Sequence, residues 1–146
     1  MIDRFERKYF FLSNFYSDLP NGVAYDGMTF GNSEAAFQAA KVLDRSSRLR
    51  FLGMDPGTAK KEGRRVPLRD DWENIKEQVM YDIVKSKFEN NPDIRELLIA
   101  TGDEELLEGN TWHDNVWGSC TCPRCQNIPG KNLLGKTLMR VREELK

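Results

Sequence analysis

One short segment carries a carboxylate and an amine able to move protons or attack an electrophile, together with an amide and an aromatic ring. Glu34, Phe37, Gln38 and Lys41 follow one another at i, i+3, i+4 and i+7. At about 100° per residue, that spacing lines them along one narrow face of a helix. Ala35, Ala36, Ala39 and Ala40 fill the positions between, and such small residues let neighbouring elements come close. A polar face among close neighbours points into a pocket rather than open water. Glu34 could there activate a water or protonate a leaving group. Lys41, if desolvated, would have a lowered pKa and could attack a sugar aldehyde or C1′. The same pattern also describes a surface helix with a Gln–Lys face and a buried Phe, and spacing leaves both readings open.

A second cluster lies late in the chain. Cys120, Cys122 and Cys125 form a C-x-C-x₂-C pattern, and His113 is the only histidine. Cys122-Pro-Arg-Cys125 resembles half of a zinc knuckle, Cys120 could add a third sulfur, and His113 could complete a Cys₃His set. A second, separated cysteine pair is missing, and His113 adjoins Asp114, where it could face substrate instead. The reading adopted is three reduced thiols in a loop, with no metal assigned and structural zinc at Cys120, Cys122 and Cys125 as the alternative.

Several elements must position these groups. Lys8–Leu12 reads as a short buried strand. Val23–Tyr25 and Met28–Phe30 flank Asp26-Gly27, a strong two-residue hairpin signal. Asn32 or Ser33 can cap a helix running from Glu34 to about Leu43. A short helix follows over Arg45–Leu52, stopped at Gly53. Asp55-Pro56 opens another that runs to about Gly63. Asp70 or Asp71 starts the longest helix, whose apolar stripe is Trp72, Ile75, Val79, Met80 and Ile83 and which ends at Asn90-Asn91-Pro92. Trp72 on this stripe reads as core, whereas Lys87, on or near it, is a secondary site candidate. Short helices over Asp93–Ala100 and Leu133–Leu145 complete the set, and the loop between Gly109 and Gly130 is dense in functional residue types. The pattern predicts an α+β fold, predominantly helical, with a small antiparallel β-sheet, as one domain over 1–146.

The composition sets bounds on function. At 146 residues, 39% apolar and 31% charged, the chain has the balance of an ordinary folded domain. No apolar run is long enough for a membrane helix, and no signal peptide is visible. No membrane partner is expected, and with an odd number of clustered cysteines the expected compartment is a reducing cytoplasm. The net charge of −1 conceals opposed segments, net +6 over 41–69 and net −9 over 70–114. A local basic stretch in a neutral protein fits a phosphate-bearing ligand better than a long duplex; two solvated helix faces of opposite sign would give the same count.

Longer motifs bring in a resemblance. Phe11-Leu12-Ser13-Asn14-Phe15 and Ser33-Glu34-Ala35-Ala36-Phe37-Gln38-Ala39-Ala40-Lys41 are similar to segments of the YbiA-like, or NADAR, family. So are Arg69-Asp70-Asp71-Trp72, Val79-Met80, Lys87-Phe88 and Leu97–Asp103. Asp114-Asn115-Val116-Trp117-Gly118 and Gly130–Gly135 follow in order. The resemblance covers nearly the whole chain. It implies N-glycosidase chemistry on ribose joined to nitrogen, requiring no cofactor. One branch resembles hydrolases of phosphoribosylamine intermediates of riboflavin synthesis; another is similar to enzymes that remove ADP-ribose from guanine in nucleic acid. The implied partner is a phosphorylated ribosyl substrate, either a small molecule or an ADP-ribosylated nucleic acid.

Carried over motif by motif, Glu34, Lys41, Asp114 and Trp117 are the catalytic candidates. Two carboxylates in different surroundings can divide acid and base roles, and Glu34 with Asp114 is the implied pair. A Schiff base on Lys41 belongs to the guanine-directed branch. Trp117 could stack on a base. Asn14, Phe15, Gln38, Gly118 and Asn132 are candidate substrate contacts, the asparagines offering donor and acceptor to ribose hydroxyls. Arg64 and Arg65 could receive phosphates. The blander roles are a strand end for Asn14, core for Trp117 and a helix cap for Asn132. Two other classes compete with the enzyme: a module that binds ADP-ribose without cleaving it, and a zinc-stabilised nucleic-acid adaptor.

Overall fold

The Asp26-Gly27 turn forms as its sequence predicts. Strands β1 (Val23–Tyr25) and β2 (Met28–Phe30) pair antiparallel with Ala24 opposite Thr29. Both turn residues have positive φ, 49° and 77°, the condition for a type I′ turn, whose twist matches that of the strands. The computed structural model describes residues 1–146, and its contacts group them into two units, 14–95 and 1–13 with 96–146. No helix is long and apolar enough to cross a membrane.

The 14–95 unit contains the hairpin and helices α1 (Ser33–Ala39), α2 (Arg45–Leu49), α3 (Pro56–Gly63) and α4 (Trp72–Asn90). Asn32 caps α1, its side chain accepting from the Ala35 N–H at 2.8 Å, and Asp55 caps α3 by accepting from Thr58 N–H, with Pro56 set in the first turn. Every residue of α1 is buried, since α1 packs on α3, α4 and the hairpin. On α4 the stripe residues Trp72, Val79, Met80 and Ile83 are buried as their period predicts, while Ile75 is only half-buried; Val84, Lys87 and Phe88 are buried with them. The Trp72 ring tilts against Phe37 with centroids 5.1 Å apart, so its role is packing.

The other unit comprises the N-terminal residues, the end of α5 (Pro92–Ala100), the two-residue strands β3 (Gly109–Asn110) and β4 (Ser119–Cys120), and α6 (Leu133–Leu145). Ile2 bridges Leu106 in parallel, with Ile2 N–H bonded to Glu105 O and Leu107 N–H to Ile2 O, both 2.8 Å. β3 and β4 also pair in parallel. The α6 face Leu134, Leu138, Val141 and Leu145 is buried, as its spacing predicts.

Three expectations change. Lys8–Leu12 is not a strand but part of a 3₁₀ helix, Arg7–Leu12. A short apolar run has no periodicity to separate the two forms, and here Phe11 and Leu12 are buried while Phe10 turns outward. The first helix ends at Ala39 rather than Leu43. The carbonyls of Lys41 and Val42 serve tertiary partners instead, Arg69 N–H at 2.9 Å and the Arg48 guanidinium at 2.8 Å. Likewise α2 stops at Leu49, and the chain unwinds into Gly53 at φ 81°. The architecture is α+β and predominantly helical, with a small antiparallel sheet.

Candidate active site

The face of α1 is a buried polar cluster. Glu34 is 7% exposed, Gln38 5% and Phe37 5%, and Gln38 Nε2 donates to Glu34 Oε1 at 2.8 Å. A donor one turn away fixes the rotamer of the carboxylate. The backbone N–H of Glu34 bonds to the Asn14 carbonyl at 3.1 Å, which brings the 14–15 segment to the start of α1. Asn14 Nδ2 reaches the Met80 sulfur of α4 at 3.6 Å, a weak acceptor.

Three buried oxygens of residues next to or hydrogen-bonded to Glu34 have no hydrogen-bond partner in the protein: Asn14 Oδ1, Ser33 Oγ and Gln38 Oε1. Asn14 joins Glu34 through the backbone, Ser33 precedes it, and Gln38 bonds its carboxylate. A buried polar group without a partner costs about 1–3 kcal/mol, so these three oxygens keep unused capacity to accept a hydrogen bond.

Lys41 lies just past the end of α1, half-buried, its Nζ 6.0 Å from the centre of the Phe37 ring. Burial lowers its pKa from the ordinary lysine value; the Glu34 carboxylate opposes the shift, and Arg64 and Lys60 add to it. A lysine moved this way has more of the neutral amine that nucleophilic attack requires.

The basic stretch over 41–69 divides by job. Arg48 is buried, donating to Val42 O and pairing with Asp26. Arg69 bonds both oxygens of Asp71, at 2.6 and 3.1 Å. Arg65 is exposed and 3.7 Å from Glu62. Arg64, exposed at the end of α3, together with Lys60, supplies the positive field felt at Lys41. Lys60 Nζ also lies 5.7 Å over the Phe15 ring, and Phe15 is 36% exposed. One aromatic face and two cations therefore stand near the half-buried Lys41.

Two residues of this cluster were missed from sequence. Lys60 carried only a charge-run signal. Gly63 looked like a helix stop, but a Cβ built there would overlap the Gln38 side-chain carbonyl. Glycine at this position lets α3 lie against α1.

Asp114, Trp117, Gly118 and Asn132 belong to the other unit. Asp114 Oδ1 accepts from the N–H groups of Val116 (3.1 Å) and Trp117 (2.9 Å), while Trp117 is half-buried. Asn110, fully buried and not anticipated, organises this loop. Its Oδ1 accepts from Trp112 and Asp114 N–H, and its Nδ2 donates to Asp114 O at 2.8 Å.

Gly118 and Asn132 each have a structural job in this loop. Gly118 is buried where a Cβ would collide with the Glu108 carbonyl, so it permits close backbone approach. Asn132 Nδ2 donates to Leu106 O at 2.9 Å and its Oδ1 accepts from Glu108 N–H at 3.0 Å. Nor does Asn132 cap α6 with its side chain. The first N–H groups of α6, which no helix satisfies internally, bond instead to carbonyls of the Trp-Gly segment: Asn132 N–H to Gly118 O, Leu133 N–H to Val116 O and Leu134 N–H to Trp117 O, at 3.2, 3.1 and 3.0 Å. On α4, Lys87 is 1% exposed, its Nζ 5.2 Å from the Phe88 ring centre and 5.9 Å from that of Tyr16. Burial pushes its amine down to about 7.

The buried Glu34–Gln38 pair and the half-buried Lys41 are now placed, and comparison with known proteins supplies the family. Residues 2–146 match the NADAR domain model, and the chain belongs to the NADAR domain family. It is 40% identical over 140 residues to N-glycosidase YbiA of Shigella boydii, spanning 91% of this chain and 84% of that protein. A riboflavin biosynthesis protein of Vibrio vulnificus is 36% identical over 138 residues, which is 92% of this chain but 35% of that longer protein. The NMR structure of Escherichia coli YbiA superposes with a TM-score of 0.80 at 36% identity, covering 99% of this chain and 86% of that one.

Proposed function

We infer that the chain is an N-glycosidase that breaks the bond between a ribose carbon and nitrogen in a phosphorylated ribosyl substrate, with Glu34 as the proton-transfer group. The observation that carries this reading is the Glu34 cluster, a buried carboxylate oriented by Gln38, with unpartnered oxygens on Asn14, Ser33 and Gln38 nearby in the fold. N-glycosidase relatives support the reaction class.

Hydrolysis forms a bond between water oxygen and C1′ and breaks the C1′–N bond. The leaving nitrogen takes a proton from a carboxylic acid, and the attacking water gives one up to a carboxylate. Glu34 supplies one of these groups, and the motif resemblance supplies Asp114 as the second and Trp117 as a stacking surface. Asn14 and Gln38 offer acceptors to ribose hydroxyls, Phe15 a face for stacking, and Lys60 and Arg64 charge for phosphate.

A second route is favoured by the depressed pKa of Lys41. Its neutral amine attacks C1′, the nitrogen leaves with a proton, the ring opens to an imine, and water then hydrolyses the imine to regenerate the amine. The riboflavin-directed name of one relative supports a phosphoribosylamine as substrate; ADP-ribosylated guanine has the same bond and also carries phosphate.

The test is to incubate the purified chain with each substrate type and follow the products by mass spectrometry. Release of free amine or base together with the ribosyl phosphate is expected from one of them. Release from neither, with substrate returned unchanged, would overturn the reading and favour a binding module. A covalent adduct trapped by borohydride in the active chain and lost in Lys41→Ala selects the imine route. Turnover without an adduct selects direct attack by water.

A further inference from the structure

The cysteine loop holds a second constellation, independent of the Glu34 cluster. His113 Nδ1 lies 3.3 Å from Cys122 Sγ, 3.4 Å from Cys125 Sγ and 3.8 Å from Cys120 Sγ. All four ligand atoms fall within 4.8 Å of one another. With Zn–S near 2.3 Å and Zn–N near 2.0–2.1 Å, a tetrahedral site has sulfur–nitrogen edges of about 3.6 Å and sulfur–sulfur edges of about 3.8 Å. The three nitrogen edges already match, and the widest edge must close by only about 1 Å. We propose that His113, Cys120, Cys122 and Cys125 bind one zinc ion in a closed Cys₃His site.

Two local features separate this from a chance grouping of thiols. His113 has φ 68°, a left-handed conformation uncommon for a residue with a side chain, and its Nδ1 faces all three sulfurs. The Cys122 N–H points at Cys120 Sγ at 3.5 Å, and Pro123–Cys125 wind a 3₁₀ turn that presents Cys125 beside Cys122. Three thiolates around a dication leave one net negative charge, and the guanidinium of Arg124 lies beside His113.

Four protein ligands leave no open position, so the ion is structural and takes no part in catalysis. Its ligands begin at His113, directly before Asp114, and resume at Cys120, directly after β4 begins. Zinc therefore clamps both ends of the segment that carries Asp114, Trp117 and Gly118. Soft thiolates with one imidazole in tetrahedral array select zinc over the hard cations.

The decisive measurement is metal content of the full chain, purified with its thiols reduced from zinc-supplemented cells. About one zinc per chain is expected. After chelation, cobalt should restore the visible bands of a tetrahedral ion and thiolate-to-metal charge transfer. Zinc affinity should fall in Cys122→Ser and in His113→Asn by more than the roughly 10–100-fold that loss of an outer-shell partner costs; asparagine tolerates the left-handed backbone. Zinc far below stoichiometry with no cobalt spectrum would overturn the site, as would iron in place of zinc or full affinity in both variants. Because these readouts do not depend on turnover, their failure is separate from any failure of the N-glycosidase reading.

Discussion

Helix α1 and the loop from Asn110 to Gly118 both gather polar residues, and they treat them in opposite ways. In the loop, side chains turn inward on the backbone. Asn110 Oδ1 and Asp114 Oδ1 each accept two N–H groups, and Asn115 Oδ1 accepts from Cys120 N–H at 2.9 Å. An irregular segment has no ladder to satisfy its backbone, so side chains do that work. In α1 the backbone is satisfied by the helix and, at its start, by Asn14 O and the Asn32 side chain, so Glu34 and Gln38 bond through their side chains to each other. Ser33 Oγ and Gln38 Oε1 on α1 are left without an internal partner. A helix leaves its polar side chains to other partners, whereas the loop from Asn110 to Gly118 spends them on its own backbone.

The largest test of this contrast is Glu34→Gln. It keeps size and loses the ionisable group, so turnover should fall by about 10²–10⁴-fold, while thermal melting shifts little. Equal turnover would place the chemistry elsewhere. Asn110→Ala should do the reverse. It orphans several buried backbone groups and should cost about 3 kcal/mol in denaturant unfolding; a change confined to activity would mean the loop amide serves a ligand after all.

Gly63→Ala should have a mixed and smaller effect. The added methyl displaces the Gln38 amide, at about 1–3 kcal/mol of stability. Turnover should fall further than that loss of folded protein explains, because Gln38 orients Glu34. Loss of stability alone would separate Gln38 from the chemistry.

A separate effect is read through pH. Lys87 titrates near 7 in the folded chain and near 10.5 when unfolded. Between those values the unfolded chain binds more protons, so stability should rise as pH is raised from about 7 towards 10. Lys87→Met should flatten that slope in urea titrations and raise the midpoint most at or below pH 7. An unchanged slope would assign the pH dependence to other groups.

Much of this was legible in the chain. Asp26-Gly27 specified its turn, because only residues tolerant of positive φ suit it. Asp55-Pro56 specified where α3 begins, and the stripes on α4 and α6 specified their buried faces. The less legible parts depend on distant partners. Lys8–Leu12 could be strand or helix until burial chose between Phe10 and Phe11. The end of α1 was set by Arg69 and Arg48 capturing carbonyls. Asn132 looked like a cap or a ribose contact, and its amide went to Leu106 and Glu108.

The sequence by itself determined the shared face of Glu34, Phe37 and Gln38, whose i, i+3, i+4 order follows from helix geometry alone, while the helix ends before Lys41. It also determined the ligand types at the cysteine loop. Only the tertiary structure decided that Glu34 is buried, that Gly63 admits α3 against Gln38, and that His113 turns its Nδ1 to three sulfurs. Burial and convergence arise from elements far apart in sequence packing together, and no local spacing encodes them.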